Sequence, residues 1–489
     1  MSFFDDLQKI VGKSHFFDDN ETLNKYGKDE SFVHPIKPAC VVYPANANMV
    51  TSVIKWANET KTPVIPVSSG GPHFRGDTVP SIGGAVIMDL SKMKKIIRVS
   101  YREQLALVEP GVTFAELAPE LEKEGMMPHM PLAPRYTKSV IGSYMEKEPI
   151  IQPRHHWCPV DPLLACQLIL GSGDLLQTGS SKGVWTLEEE WKQKKAQKWW
   201  ASESYDIVKI AQASQGSLSV LTWSSIKCAL LPKIHNFFFV PCTKIAPLIE
   251  VAYTLLRFRW AEELFIVNNQ TLASIVAKKG VDVEEIRDSL PRFMLIVGIA
   301  GFPEFFPEER AETQERDIRE VTERYGVQMV PALPGGLTGE KIRKLLYTVS
   351  DETYWKMRQK GAFQDIFFAT TLDLAPVFID EMYLLAAGCG YPSQDIGVYV
   401  QPMVQGTSCH LEFQFPYDPA NSRETLKVKE LVTKGARQLA AKNAYFYRPY
   451  GEWKTIAYER FGGEEYAAIK KIKSIFDPND ILNPGKVCF

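Results

Sequence analysis

Three short stretches of this chain carry residue types that could do chemistry. The first is Pro66-Val67-Ser68-Ser69-Gly70-Gly71-Pro72-His73-Phe74-Arg75-Gly76. Small side chains there let backbone N–H groups come close to a bound anion, and a pyrophosphate suits such a cradle. The same composition also describes a tight surface turn. Neither the G-x-x-x-x-G-K-[ST] nor the G-x-G-x-x-G pattern is present, which excludes the two commonest phosphate loops. The second stretch is Cys409 to Phe415, whose alternation places His410, Glu412 and Gln414 on one face and Leu411, Phe413 and Phe415 on the other. That polar face lines a cavity or meets solvent. The third is the cluster Tyr445, Tyr447, Arg448, Tyr450 and Trp453. It reads as an aromatic pocket with a cation, or as an ordinary aromatic core.

Regular elements must position these groups. Ala39 to Tyr43 reads as a short strand, followed by Val50, Val53, Ile54 and Ala57 at helical spacing. Thr62-Pro63 ends that helix, and Val64 to Val67 forms a strand leading into the small-residue loop. Ala85 to Met88 and Leu105 to Val108 are further strands. Thr113 and Glu116 form a capping box that opens a helix ending at Gly125. Leu168 to Leu170 and Leu175 to Gln177 flank Gly171-Ser172-Gly173-Asp174, a hairpin turn. Longer helical patterns and apolar strands begin near Pro232. Two more helical patterns follow residue 430, with Ile469, Ile472 and Phe476 on one face. The class is α+β.

With 489 residues the chain exceeds one ordinary core, so two large domains, or one split domain enclosing another, are expected. A net charge of −2 and the lack of any basic run argue against nucleic acid as a partner. No stretch of about 18 apolar residues occurs, so no membrane span is expected. Met1 to Lys13 lacks a basic segment followed by an apolar one, and the eight cysteines form no C-x-x-C pair. These features favour free thiols and a cytoplasmic location.

Several motifs, in one order, resemble the flavoprotein family of vanillyl-alcohol oxidase and p-cresol methylhydroxylase. The Pro66–Gly76 loop resembles its first pyrophosphate loop. Ala85-Val86-Ile87-Met88-Asp89-Leu90 and Val108-Glu109-Pro110-Gly111-Val112-Thr113 with Leu117 follow as in the family. Ser139-Val140-Ile141-Gly142-Ser143-Tyr144-Met145-Glu146-Lys147 resembles S-x-I-G-N-x-x-E-R, with Pro153 and His156-Trp157 after it. Leu175 to Gly179, Ser214 to Thr222 and Phe476 to Lys486 resemble three later signatures.

The resemblance implies a two-part FAD-binding domain of the p-cresol methylhydroxylase (PCMH) type from residues 1–235 and 431–489. An inserted cap at 236–430 would carry the substrate pocket. It implies FAD contacts from Pro66, Ser68, Ser69, Gly70, Gly71, His73, Gly76, Ser139, Ile141, Gly142, Gln215, Gly216 and Val220, with Lys486 facing the flavin. His73 and His410 align with positions at which relatives attach flavin covalently, although Pro72 departs from the usual Gly-Gly-His.

The departures bear on substrate. The family's Tyr-Arg-Thr-His stretch is Trp453-Lys454-Thr455-Ile456 here, so lysine keeps the charge without the bidentate fork. Its Tyr-Gly-Asp-His-Trp stretch is Arg154-His155-His156-Trp157, without the acid. His155 can serve as base, or Arg154 and His155 can bind an anion. The implied activity is hydride removal from a small aromatic or anionic alcohol, or from a benzylic carbon. His155, Lys454 and His410 would be catalytic; Arg154, Tyr445, Tyr447, Arg448 and Trp453 would bind substrate. Rival readings are a 2-hydroxy-acid dehydrogenase of the same fold and a flavin-carrying electron-transfer subunit. The electron acceptor is oxygen or a redox protein. A homodimer is the commonest assembly for such a chain.

Overall fold

The computed structural model describes residues 4–153, 162–179, 207–278, 281–304, 306–460 and 462–487. Its helices and strands mix along the chain as an α+β protein does. A four-stranded sheet runs in the order Phe16–Phe17, Cys40–Val42, Val86–Asp89, Val64–Val67. The last three strands are parallel, so long crossovers rather than hairpins connect them. The helix Ala47–Thr60 is one crossover. Asn46 caps it by accepting from Met49 N–H, and Val50, Val53, Ile54, Trp56 and Ala57 are buried. It stops where Lys61 turns left-handed ahead of Pro63.

A six-stranded sheet holds Ile96–Ser100, Leu105–Val108, Ser219–Leu230, Leu163–Leu170, Leu175–Gln177 and, on the end of the long strand, Met126–Pro128. The hairpin and the Thr113–Glu116 capping box form as the sequence requires. The helix after the box spans Phe114–Lys123. Gly111, in the Val-Glu-Pro-Gly motif, packs so closely that a Cβ would lie 2.6–2.7 Å from the carbonyl oxygens of Leu90, Ser91 and Met93. Glycine there is a requirement of space.

A third sheet of six antiparallel strands runs Ile234–Cys242, Phe293–Gly301, Leu264–Asn268, Gly397–Met403, Ser408–Tyr417, Ala362–Thr370. Helices Ala246–Phe258, Pro307–Arg324, Ala375–Gly388 and Ser422–Ala441 share one apolar core with it. Phe237, Phe239, Phe265, Met294 and Ile296 join a second core with Val108, Phe114, Leu121 and Ile150 from the preceding sheet's layer. The third sheet is therefore packed on both faces.

After the helices Trp453–Glu459 and Gly462–Phe476 the chain returns to the first sheet. Val64 N–H donates to Ile481 O at 2.7 Å and Asn483 N–H donates to Val64 O at 2.9 Å, so the tail extends that sheet beside the strand feeding the glycine loop. Of the predicted apolar face, Phe476 is buried while Ile469 and Ile472 are half-buried. Among the described residues no helix is long and apolar enough to cross a membrane.

Candidate active site

The strand Val64–Val67 delivers Ser68 to the mouth of a cleft. The loop that follows is held from behind. Gly70 N–H donates to Thr137 O at 3.1 Å, Arg135 donates to Gly70 O at 3.1 Å, and Thr137 Oγ1 donates to Gly71 O at 2.9 Å. Ser139 N–H donates to Ser69 Oγ at 3.0 Å. Ser139 itself is buried beneath the wall. Its Oγ donates to Pro110 O and accepts from Gly142 N–H, which fixes Ile141 and Gly142 on the cleft surface.

Pro66, Ser68, Ser69, His73, Ile141, Gly142, Gln215, Gly216 and Val220 all line this cleft. Gly70, Gly71 and Gly76 belong to the loop's backbone rather than to the lining. Two glycines permit the close packing of the walls. A Cβ on Gly142 would lie 2.7 Å from Ser68 Oγ, and one on Gly216, at φ +71°, would lie 2.5 Å from Pro66 Cγ. Ser219 Oγ is buried on the same wall with no hydrogen-bond partner among the described residues. A small-residue cradle with an unused hydroxyl fits a dinucleotide, whose phosphates and ribose hydroxyls supply the missing partners.

The other end of the cleft has different chemistry. Arg75, Tyr354, Lys356, Phe363, Arg448 and Tyr450 enclose it. Lys356 Nζ donates to Asp365 at 3.0 Å and also to Glu412. Arg75 donates to the other oxygen of Asp365. Glu412 accepts from Gln414 at 2.9 Å and contacts His410 Nε2 at 3.2 Å. His410 Nδ1 meets the Tyr447 hydroxyl at 3.0 Å. The guanidinium groups of Arg75 and Arg448 both lie over the Phe367 ring, at 4.4 and 4.3 Å.

Burial pushes Lys356 below the ordinary lysine value, opposed by Glu412. Burial would raise Glu148, but Lys138 and Arg448 outweigh it and hold its carboxyl at about 2. Asp77, also on the wall, is raised to about 6 by burial and by Glu146 and Asp29.

His410 is fully buried, and burial lowers its pKa to about 4 against the pull of Glu412, with Arg448 and Lys356 adding to the drop. The folded protein thus holds it neutral at pH 7. In the unfolded chain it titrates near 6.5. Its contribution to stability is intact above about pH 6.5 and is lost as pH falls towards 4, with a slope of up to about 1.4 kcal/mol per pH unit. Denaturation across that window should show His410→Asn with a slope shallower by about one proton's worth. Equal slopes in the two proteins would count against this assignment.

The polar face of Ser408–Tyr417 is turned inward rather than to solvent: His410, Glu412 and Gln414 are all buried, and Lys356 crosses that face to Glu412. His410 is not on the cleft surface, and neither are Glu412 and Tyr447; Glu412 connects it to the cleft through Lys356. Other expectations move further. Tyr445 is 54% exposed and uses its backbone to pair with Ala369, so its side chain lines no cleft. Trp453 packs edge-on against Phe367 at 5.1 Å as part of the core. Lys454 and Lys486 border a second, adjoining cleft. Their amines donate to Gly485 O and Gly76 O, both at 2.6 Å. Of the cations expected from the sequence at the substrate, Arg448 lines the first cleft and Lys454 does not. Arg154 and His155 lie outside the described residues.

Sequence reasoning missed Lys356, Asp365, Glu148 and Tyr354, and quoted Arg75 without giving it a role. Asp365 did leave a signal: a lone acid inside the apolar strand Ala362–Thr370. A single lysine in Trp355-Lys356-Met357 leaves none.

Residues 38–179 match the family described as FAD binding domain, and residues 452–487 match the C-terminal domain of FAD linked oxidases. A D-2-hydroxyglutarate dehydrogenase of Stutzerimonas stutzeri is 22% identical, covering 99% of this chain and 98% of its own. The flavoprotein subunit of 4-cresol dehydrogenase (hydroxylating) of Pseudomonas putida is 28% identical over 35% of this chain and 33% of its own. The crystal structure of p-cresol methylhydroxylase with substrate bound has the same fold, with a TM-score of 0.82 at 17% identity over 100% of this chain and 96% of that one.

Proposed function

We propose that this chain, an FAD-linked oxidoreductase with a PCMH-type FAD-binding fold, oxidises a small alcohol that carries an anionic group, either an aromatic alcohol or a 2-hydroxy acid. Arg448 carries this reading. It is 3% exposed, lines the enclosed end of the cleft, forms no ion pair among the described residues and leaves Nε without a hydrogen-bond partner. Glu148 and Glu146 meet that buried charge only from beyond ion-pair distance, and a carboxylate or phenolate brought by the substrate would pair with it directly. A guanidinium also suits planar, bidentate recognition of a carboxylate.

The cofactor loop Pro66–Gly76 with Ile141, Gly142, Gln215, Gly216 and Val220 would hold FAD. FAD, when bound, supplies the two-electron acceptor. Lys356 uses two of its three N–H donors on Asp365 and Glu412, which leaves one for the substrate's anion or hydroxyl oxygen. The rings of Tyr354, Phe363 and Tyr450 exclude water from this end. His155 remains the proposed acceptor of the substrate's hydroxyl proton. The Stutzerimonas relative, matched along its whole length, favours the 2-hydroxy-acid form of the reading.

The test is anaerobic loss of visible flavin absorption on adding mandelate, D-lactate, D-2-hydroxyglutarate or 4-hydroxybenzyl alcohol, beside the uncharged mandelamide and benzyl alcohol. Bleaching by acids or phenols but not by the uncharged pair is expected. Equal bleaching by the uncharged pair would remove the anion requirement. A flavin reduced only by a partner protein would leave the electron-transfer subunit.

A further inference from the structure

Arg75 and Lys356 approach the enclosed end of the cleft from two parts of the chain. Arg75 ends the glycine loop, and Lys356 sits in the short 3-10 turn Trp355–Met357 ahead of the strand Ala362–Thr370. One buried carboxylate serves both. Asp365 Oδ1 accepts from Arg75 and Oδ2 accepts from Lys356. Lys356 has a second carboxylate in Glu412, whereas Arg75 has no other among the described residues. Aromatic rings confine Arg75: Phe367 lies at 4.4 Å and Tyr450 at 5.9 Å from its guanidinium carbon. Arg75 also borders both clefts, so its position sets the wall between them.

We infer that Asp365 is a positioning residue that ties the cofactor loop, through Arg75, to the substrate-side ammonium group of Lys356. The Lys356 arm rests on the anion-binding reading above; the Arg75 arm does not. Removing the negative charge of Asp365 would turn one hydrogen-bond acceptor into a donor facing a cation. Among the described residues Arg75 would lose its one carboxylate, and Lys356 would keep Glu412 alone. The cofactor loop and the Lys356 ammonium group would both loosen from one change.

The experiment uses the FAD-loaded protein and compares Asp365→Asn, Asp365→Glu, Arg75→Met and the double variant Asp365→Asn/Arg75→Met. Benzoate, titrated by the flavin difference spectrum, is the anionic probe. Asp365→Asn should weaken benzoate at least tenfold and raise the substrate KM similarly, with kcat changed less than threefold. Asp365→Glu should recover most of the loss. The double variant should bind benzoate no more weakly than Asp365→Asn alone, because Arg75 acts through Asp365. Melting temperatures, which need no anion, should show the same non-additivity. Effects that multiply, or an Asp365→Asn affinity within twofold of the parent, overturn the inference. Parent protein that ignores benzoate while the melting temperatures stay non-additive overturns the anion-site reading and leaves the Arg75–Asp365 tie standing.

Discussion

Arg448→Met should raise the KM for an anionic substrate about 100-fold while leaving the melting temperature unchanged or higher. Truncating one partner of a desolvated charge pair costs about 2–5 kcal/mol, and about 1.4 kcal/mol corresponds to tenfold in affinity. We place the loss near the lower half of that range because Lys356 still faces the same space. Methionine fills much of the volume over Phe367 and Tyr447, whose ring centres lie 4.3 and 5.1 Å from the guanidinium carbon. It also removes a buried cation that has no ion-pair partner among the described residues, and Glu148, which feels that cation, keeps Lys138 at 3.3 Å. A purely structural arginine would behave the other way, with lost stability and an unchanged KM. Arg448→Lys should recover only part of the affinity, since an ammonium group lacks the planar fork. A KM within threefold of the parent would sink the assignment. The measurement is steady-state kinetics on whichever acid or phenol bleaches the flavin.

The largest loss of stability is expected at Lys473→Met, at about 3–5 kcal/mol. Lys473 is buried and donates to Asp477 at 2.7 Å, Ser217 O at 2.6 Å and Leu482 O at 2.9 Å. Asp477 is 1% exposed and also accepts from Ile481 and Leu482 N–H. Deleting the ammonium group would strand that carboxylate in the interior. The same turn abuts Gly171, where a Cβ would lie 2.5 Å from Asp477 Cγ, so the carboxylate has little room to escape. Ile481 and Asn483 bond to Val64, and Val64–Val67 leads straight into the glycine loop. Loss of Lys473 should therefore loosen FAD as well as lower the melting temperature. Denaturant titration giving less than about 1 kcal/mol of change would show the tail to be an ornament of the fold.

The two variants act through opposite kinds of buried charge. Lys473 has its carboxylate within the chain. Arg448 has only the more distant Glu148 and Glu146 among the described residues, and the substrate would supply the direct partner.

Much of this architecture is written locally. The strand Leu105–Val108, the Thr113–Glu116 capping box, the hairpin at Gly171–Asp174 and the shared face of His410, Glu412 and Gln414 follow from hydrogen bonds and periodicities that span a few residues. The small-residue loop announced itself by composition, and its order among later motifs pointed to FAD. The strand's alternation said which residues share a face but not where that face points. Lys356 and Tyr447, packed over that face against Glu412 and His410, decided that it is buried. Position within Trp453-Lys454-Thr455-Ile456 suggested the substrate's cation, yet the fold sends Lys454 to Gly485 and brings Arg448 to the cleft. Arg75 and Asp365 are 290 positions apart and meet only because the cofactor loop packs against the third sheet. Turns, caps and pleats are short-range and legible in the sequence. The pairing of charges depends on which surfaces are driven together when three sheets bury their apolar faces, and that is settled only in the folded chain.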